Sequence, residues 1–317
     1  ASAAAHLAAA AARAARFRPA LLLTYHLYYK APDPIGAPLS ALLRRPYAVY
    51  EASHAEGPRG RLSTAAGYHL ARWALARAGH AFTNMADDRL ELARVLPAAR
   101  VSHVPPSVDA ALFRPDAARR ERWRRERGVA PDEVVVASVG MARDERKAAS
   151  VRLLIETLDA LDRRGVRARL AHAGGGERLP ELRALAARRL GPSAWLPGPL
   201  AREEVAALMN GADLFAYPGI DEGFGLVYLE AQASGLPVAA LRDGGVPDAV
   251  AHGEGGLLAP PEEPGAFADA LARLIGDAGL RARLGAAGRA RTLARHDPAV
   301  NYGAVVARCE ALAGGRS

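Results

Sequence analysis

The chain has 317 residues, half of them hydrophobic and 24% charged, which excludes a largely disordered chain and provides length for about two domains. A single cysteine, Cys309, excludes a disulfide framework and any cysteine-based zinc site. Lysine and arginine outnumber the acids 42 to 34, and the net charge of +8 favours anionic partners such as phosphorylated substrates or anionic lipid surfaces.

In chain order, the alanine-rich opening Ala1–Ala15 lacks the leucine-rich centre of a signal peptide and reads as a surface helix. No apolar run reaches the ~18 residues of a spanning helix. The expectation is therefore a cytoplasmic protein, with peripheral contact at the anionic inner face of a membrane. The first part alternates strands predicted at Ala20–Tyr25, Tyr47–Tyr50, His80–Thr83 and Arg100–Val104 with helices at Ala3–Arg16, Pro38–Arg44, Leu62–Ala78 and Ala86–Val95. Pro105-Pro106-Ser107 and Phe113-Arg114-Pro115 punctuate the chain and read as a loop leaving a first domain, 1–115. Next, Ala117–Arg127 alternates arginines with acids and predicts a solvated helix. Its interspersed acids argue against a nucleic-acid partner.

A second domain, 116–297, predicts strands at Glu133–Val139, Ala168–Ala173, Ala194–Leu196, Leu214–Tyr217, Val238–Ala240 and Gly256–Leu258. Helices intervene at Ala148–Arg164, Leu179–Leu190, Arg202–Asn210, Phe224–Ser234, Gly265–Ile275 and Leu280–Arg295. This is the α/β pattern of a doubly wound parallel sheet, whose ligands sit outside the carboxyl ends of the strands. A closing helix, Val300–Leu312, lies in 298–317 and can cross back to the first domain.

The chemistry is concentrated in Gly219–Val238. A predicted strand stops at Pro218-Gly219, and a helix opens at Gly223-Phe224-Gly225 and stops at Gly235, with Pro237 beyond. Glycines at a helix start let an anion approach free N–H groups, where the dipole also favours negative charge. Leu226, Val227, Tyr228, Leu229, Ala231 and Ala233 make this helix apolar nearly all round, which predicts burial. Glu230 is the misfit. A buried carboxylate needs either an arginine or a ligand, and two vicinal ribose hydroxyls would match its two acceptor oxygens. Glu222, just before the helix, would face the other end of the same ligand. Gly174-Gly175-Gly176-Glu177 reads on its own as a tight turn, because the spaced third glycine of a dinucleotide fingerprint is absent.

Glu222-Gly-Phe-Gly-Leu-Val-Tyr-Leu-Glu230, with Ala231, Ala233, Gly235 and Pro237-Val238, resembles the E-x7-E signature of the retaining family 4 (group 1) glycosyltransferases of GT-B fold. The resemblance continues through Asp243–Asp248, Gly253–Pro261 and Asp109–Pro115, and covers about Val101 to Arg295. It implies two Rossmann-like doubly wound domains facing across a cleft. It also implies that the first domain lacks at least one strand–helix unit, on the order of 30 residues, at its front. In the family the first glutamate contacts the donor sugar, the glycine-rich turn offers amides to sugar and diphosphate, and the second glutamate holds ribose. Those roles carry over to Glu222, to Gly223, Phe224, Gly225 and Leu226, and to Glu230.

A basic pair that follows the first strand of the second domain falls on Arg143 and Lys147, with Arg146 as the alternative. Met141 stands where the family has arginine. Gly140, Gly174 and Gly176 match the loops that approach the nucleotide. In the first domain His54 resembles the sugar-facing histidine, and His26 a strand-end histidine on the acceptor side. There is no Asp-x-Asp motif and no cluster with metal spacing, so no metal and no cofactor is expected. Positive side chains and helix amides would balance the diphosphate. The expected function is transfer of a sugar from a nucleoside-diphosphate donor to a saccharide, lipid-linked or small-molecule hydroxyl acceptor. The alternatives are a non-catalytic nucleotide-sugar-binding module and a sugar-nucleotide epimerase.

Overall fold

Short alanine- and valine-rich runs become parallel strands in two separate sheets; a computed structural model describes residues 3–54 and 62–315. Ala1 and Ser2, at the front of the predicted first helix, lie outside the described residues. The chain divides into two compact units, one of residues 1–106 and 298–317, the other of residues 107–297. The division therefore falls ahead of the expected position after 115. The physical reason is that Val108 and Phe113, 4% and 1% exposed, are buried in the core of the second unit.

The first unit contains a four-stranded sheet in the order β1-β2-β3-β4, with β1 Leu22–Leu27, β2 Tyr47–Ala52, β3 His80–Thr83 and β4 Val101–His103. Around it lie α1 Ala3–Phe17, α2 Gly36–Leu43, α3 Leu62–Arg77, α4 Ala86–Leu92 and the closing helix Pro298–Gly314. Leu27, Val49, Ala74, Leu75 and Leu92 bury one side of the sheet. Val305 of the closing helix packs with Ala48, Phe82 and Val104 in a second cluster. Asp33 sets the start of α2: its carboxylate accepts the N–H groups of Ile35 and Gly36 and the hydroxyls of Thr24 and Tyr47. Burial opposes the charge on Asp33, but these bonds outweigh it and hold its carboxyl below the usual range.

The second unit is a six-stranded parallel sheet in the order β10-β9-β8-β5-β6-β7. Its strands are β5 Val135–Val139, β6 Arg169–Ala173, β7 Ala194–Gly198, β8 Leu214–Ala216, β9 Val238–Leu241 and β10 Gly256–Ala259. The helices are α5 Ala117–Glu126, α6 Glu145–Asp162, α7 Leu179–Arg189, α8 Arg202–Gly211, α9 Leu226–Ala233, α10 Val246–Ala249, α11 Ala266–Gly276 and α12 Ala278–Arg295, so that the closing helix is α13. Val136, Ala137, Leu154, Ile155, Phe215 and Leu229 form the centre of the core, all fully buried.

Two local readings need correction. α5 is not simply solvated: Trp123 and Arg124 are 4% and 7% exposed. Arg124 spends its donors on Asp213 and on the carbonyls of Gly211, Ala130 and Glu133, and Arg120 reaches Asp213 at 2.7 Å. A buried guanidinium is tolerated because both of its terminal nitrogens find two acceptors each. α10 was not expected, being one turn long with a proline inside it.

β7 is an outer strand of its sheet. Arg183 of α7 donates from Nε to the carbonyl of Leu196 at 2.8 Å and from Nη2 to that of Pro197. Among the described residues no helix is long and apolar enough to cross a membrane.

Candidate functional site

Strands β5 and β8 are parallel neighbours, and the chain order reverses between them: β6 and β7 lie beyond β5, β9 and β10 beyond β8. Loops leaving two such strands at their carboxyl ends diverge, and a crevice opens between them. Gly140–Asp144 leaves β5, and Tyr217–Gly225 leaves β8. The two sequence motifs therefore meet for a topological reason.

They meet through charge. Lys147, in the first turn of α6, donates from Nζ to Glu222 Oε2 at 2.6 Å, with the two side chains 24% and 19% exposed. Asp144 caps α6 by accepting the Lys147 N–H at 3.0 Å, which fixes where that lysine leaves the helix. Alongside, Arg146 binds Asp221 at 2.6 Å on the surface, so the alternative cation is engaged one residue away from Glu222. Arg143 is exposed in the same loop. Tyr217, beneath, is pushed up to about 12 by burial and then by the charge of Glu222.

The backbone of Glu222 is braced from a segment outside the predicted site. Its carbonyl accepts the N–H of Gly245 at 3.0 Å, and the N–H of Asp221 reaches Asp243 Oδ2 at 2.9 Å. A Cβ on Gly244 would lie 2.2 Å from the Glu222 carbonyl oxygen. The signal for this brace was present as Asp243-Gly-Gly, two glycines in the turn that follows a strand. Asp221 itself has φ 56°, a left-handed conformation that a residue other than glycine adopts at some cost.

The glycines predicted to face the donor separate into two kinds. A Cβ on Gly174 would lie 1.8 Å from the Gly140 carbonyl oxygen, one on Gly176 2.3 Å from the backbone of Ala142, and one on Gly140 2.7 Å from the Tyr217 ring. These three have packing reasons: they let the loops after β5 and β6 lie against each other. Gly225 is the left-handed cap of α9, φ 74°, packed on the Tyr228 ring. For that reason α9 starts at Leu226, not at Phe224. Gly223 is different, since a Cβ there would meet nothing within 4 Å. The N–H groups of Gly223, Phe224 and Gly225 take no backbone acceptor among the described residues. The first N–H groups of α9 have none within the helix either.

α9 is not buried all round, as its composition suggested. Tyr228, Leu229 and Gln232 are fully buried, but Leu226 is 53% exposed. Glu230, one turn on from Leu226, shares that open face. Burial pushes the Glu230 carboxyl up, and Arg202 partly offsets this from 3.7 Å. Arg202 is itself 61% exposed, so the partner is a surface guanidinium and not a buried one. Sequence reasoning missed it, because α8 and α9 meet only in the fold.

In the first unit, His54 follows β2 and its ring packs against Tyr68 at 5.6 Å; burial, then Arg72, hold its pKa below the usual value. His26 lies in β1 with φ 66°, its Nδ1 3.3 Å from Glu51 Oε2. Glu51 also has a positive φ, 52°. Among the described residues no group of three or more histidines, cysteines and acids could hold a metal ion.

This arrangement matches known proteins. Residues 119–291 match the family model described as glycosyl transferases group 1. D-inositol 3-phosphate glycosyltransferase of Corynebacterium efficiens is 39% identical over 191 residues, 59% of this chain and 45% of that protein. The GDP-mannose-dependent alpha-(1-6)-phosphatidylinositol monomannoside mannosyltransferase of Mycobacterium tuberculosis is 36% identical over 201 residues, 61% of this chain and 51% of that protein. The chain thus spans about half the length of these relatives. The crystal structure of Anabaena Alr3699/HepE in complex with UDP superposes with a TM-score of 0.79 over 96% of this chain and 82% of that one, at 22% identity. Sucrose-phosphate synthase from Thermosynechococcus elongatus gives 0.77 over 96% and 77%, at 24% identity. The fold is therefore that of GT-B glycosyltransferases, and the match across more than half of its residues shows that the chain belongs to the glycosyl transferases group 1 family.

Proposed function

We propose that the protein is a retaining glycosyltransferase that moves a sugar from a nucleoside-diphosphate donor to a hydroxyl acceptor. The observation that carries this reading is the crevice between β5 and β8, where a carboxylate, a lysine and open helix-start amides converge. A diphosphate suits Lys147, Arg143 and the amides of Gly223–Leu226. As its bond to the sugar lengthens, negative charge grows on phosphate and positive charge on the sugar ring. Cations held in place stabilise the first, and the carboxylate of Glu222 binds the sugar hydroxyls and favours the second. Glu230 takes the ribose hydroxyls on the open face of α9. The acceptor hydroxyl then attacks from the side the diphosphate left and gives its proton to the departing phosphate oxygen, which retains the anomeric configuration. Side-chain cations meet the charge in this scheme, and treatment with EDTA is expected to leave transfer unchanged. The roles of His54 at the sugar and His26 on the acceptor side rest on the family resemblance alone.

The relatives are named for inositol phosphate and phosphatidylinositol mannoside acceptors, and the neighbouring structure holds UDP. A polyol or glycolipid acceptor and a uridine or guanosine diphosphate donor are therefore the first to test, and a lipid-linked acceptor would bring the +8 chain to an anionic surface. The test is incubation with labelled UDP- and GDP-sugars and an acceptor panel, with the anomeric configuration of the product read by NMR. A product of inverted configuration, or neither transfer nor slow donor hydrolysis with any donor, would overturn the reading.

A further inference from the structure

Glu222 and Lys147 neutralise each other at 2.6 Å, so the lysine that a diphosphate needs already shares its charge with a carboxylate. Both side chains are largely withdrawn from solvent, which strengthens whatever electrostatic interaction each makes. The next acid, Asp221, is paired with Arg146, and Arg143 stands exposed in the loop after β5, so Lys147 is the cation held directly against Glu222. The backbone of Glu222 is fixed by Gly245 and by the close approach of Gly244, so the carboxylate cannot withdraw by moving its main chain.

Two ligands meet this pair differently. In a sugar nucleotide the outer phosphate is a diester with about one negative charge, and the sugar brings hydroxyl donors that a carboxylate can accept. In a free nucleoside diphosphate the outer phosphate is a monoester whose second ionisation falls near pH 6, so it carries about one charge more at pH 7. It also brings no hydroxyl to the position of the sugar. A bare diphosphate therefore faces Glu222 with more negative charge and with nothing for the carboxylate to bind. Either Lys147 leaves Glu222 unpaired, or it stays and offers the phosphate a half-neutralised cation. Like charges juxtaposed in a part-buried site are costly.

We propose that the Lys147–Glu222 pair is a selectivity element that favours a diphosphate carrying a sugar over one without it, so that Glu222 also speeds the loss of the spent nucleotide once the sugar has left. This rests on the proposed donor site and concerns what that site disfavours.

The experiment is calorimetric titration with UDP and UDP-glucose, and in parallel with GDP and GDP-mannose, of the wild-type chain, Glu222→Gln and Glu222→Ala. With whichever base binds, each substitution is expected to tighten the free diphosphate about tenfold and to weaken the sugar nucleotide about tenfold, the scale of one close charge interaction. Two variants guard against a local folding defect, and their melting temperatures report it. Should the wild type bind a sugar nucleotide while both variants hold the free diphosphate no more tightly than wild type, the selectivity role is overturned and the donor site stands. Should the wild type bind neither member of either pair, the donor site itself is overturned, and this inference with it.

Discussion

The glycine loop after β6 and the glycine loop before α9 look alike in sequence and do different physical work. Gly174 and Gly176 lie against the backbone of the loop after β5, and a Cβ on either would collide with main-chain atoms. Gly223 lies against nothing, Gly225 is the left-handed cap from which α9 starts, and the N–H groups of Gly223–Gly225 take no backbone acceptor among the described residues. The first loop builds the floor of the crevice and the second leaves its mouth open. A glycine cluster in a doubly wound sheet therefore identifies close approach, but the partner in that approach is as often the protein itself as a ligand.

Four substitutions test this division. Gly174→Ala places a methyl group where the Gly140 carbonyl oxygen lies, and is expected to cost about 3 kcal/mol or more by forcing the two loops apart. A fall in melting temperature of roughly 10 °C by calorimetry would accord with that cost. An unchanged melting temperature would show that the floor is not packed as described.

Glu230 lies at the mouth and is strained by its own desolvation. A carboxyl whose pKa is raised by folding favours the folded state only below its unfolded value, and that contribution is lost as pH rises. Glu230→Gln is therefore expected to raise the melting temperature at pH 7, with the gain vanishing towards pH 4, while sugar-nucleotide affinity falls about tenfold. Loss of stability together with loss of affinity would mean that Glu230 is a structural partner of Arg202 and nothing more.

Beneath the floor, His172 on β6 is fully buried beside Ser138, and burial lowers its pKa from 6.5 to about 4. Neither ring nitrogen of His172 has a hydrogen-bond partner among the described residues. A group depressed in this way lends stability above its unfolded pKa and loses it as pH falls. Stability should thus decline between about pH 6.5 and pH 4, and His172→Leu should flatten that part of the melting profile. The smallest effect belongs to Gly223→Ala, expected to move stability by less than about 0.5 kcal/mol. Its sugar-nucleotide affinity should drop severalfold nonetheless, and equal affinity would place the ligand away from this turn.

What could be read in advance follows the same line between local and distant causes. Each predicted strand is present, because runs such as Val135–Val139 and Arg169–Ala173 state their burial within a few residues. The start of α9 was misplaced by two residues, since nothing in the apolar pattern shows that Gly225 is left-handed. Arg124 looked solvated because its acceptors, Gly211 and Asp213, stand far along the chain. Glu222 and Lys147 were both legible as functional residues, yet their ion pair spans a separation of 75 positions and only the reversal between β5 and β8 brings it together. The brace from Asp243, Gly244 and Gly245 was visible in the sequence as a motif without a task.

The guanidinium of Arg183, spread over two carbonyls of β7, has a colloidal consequence. An outer strand normally extends a row of acceptors to any passing chain, and stacking of one molecule on another begins there. Here those two acceptors are already taken from within, and Pro197 has no N–H to lend, so a crowded solution finds little to nucleate on along that border.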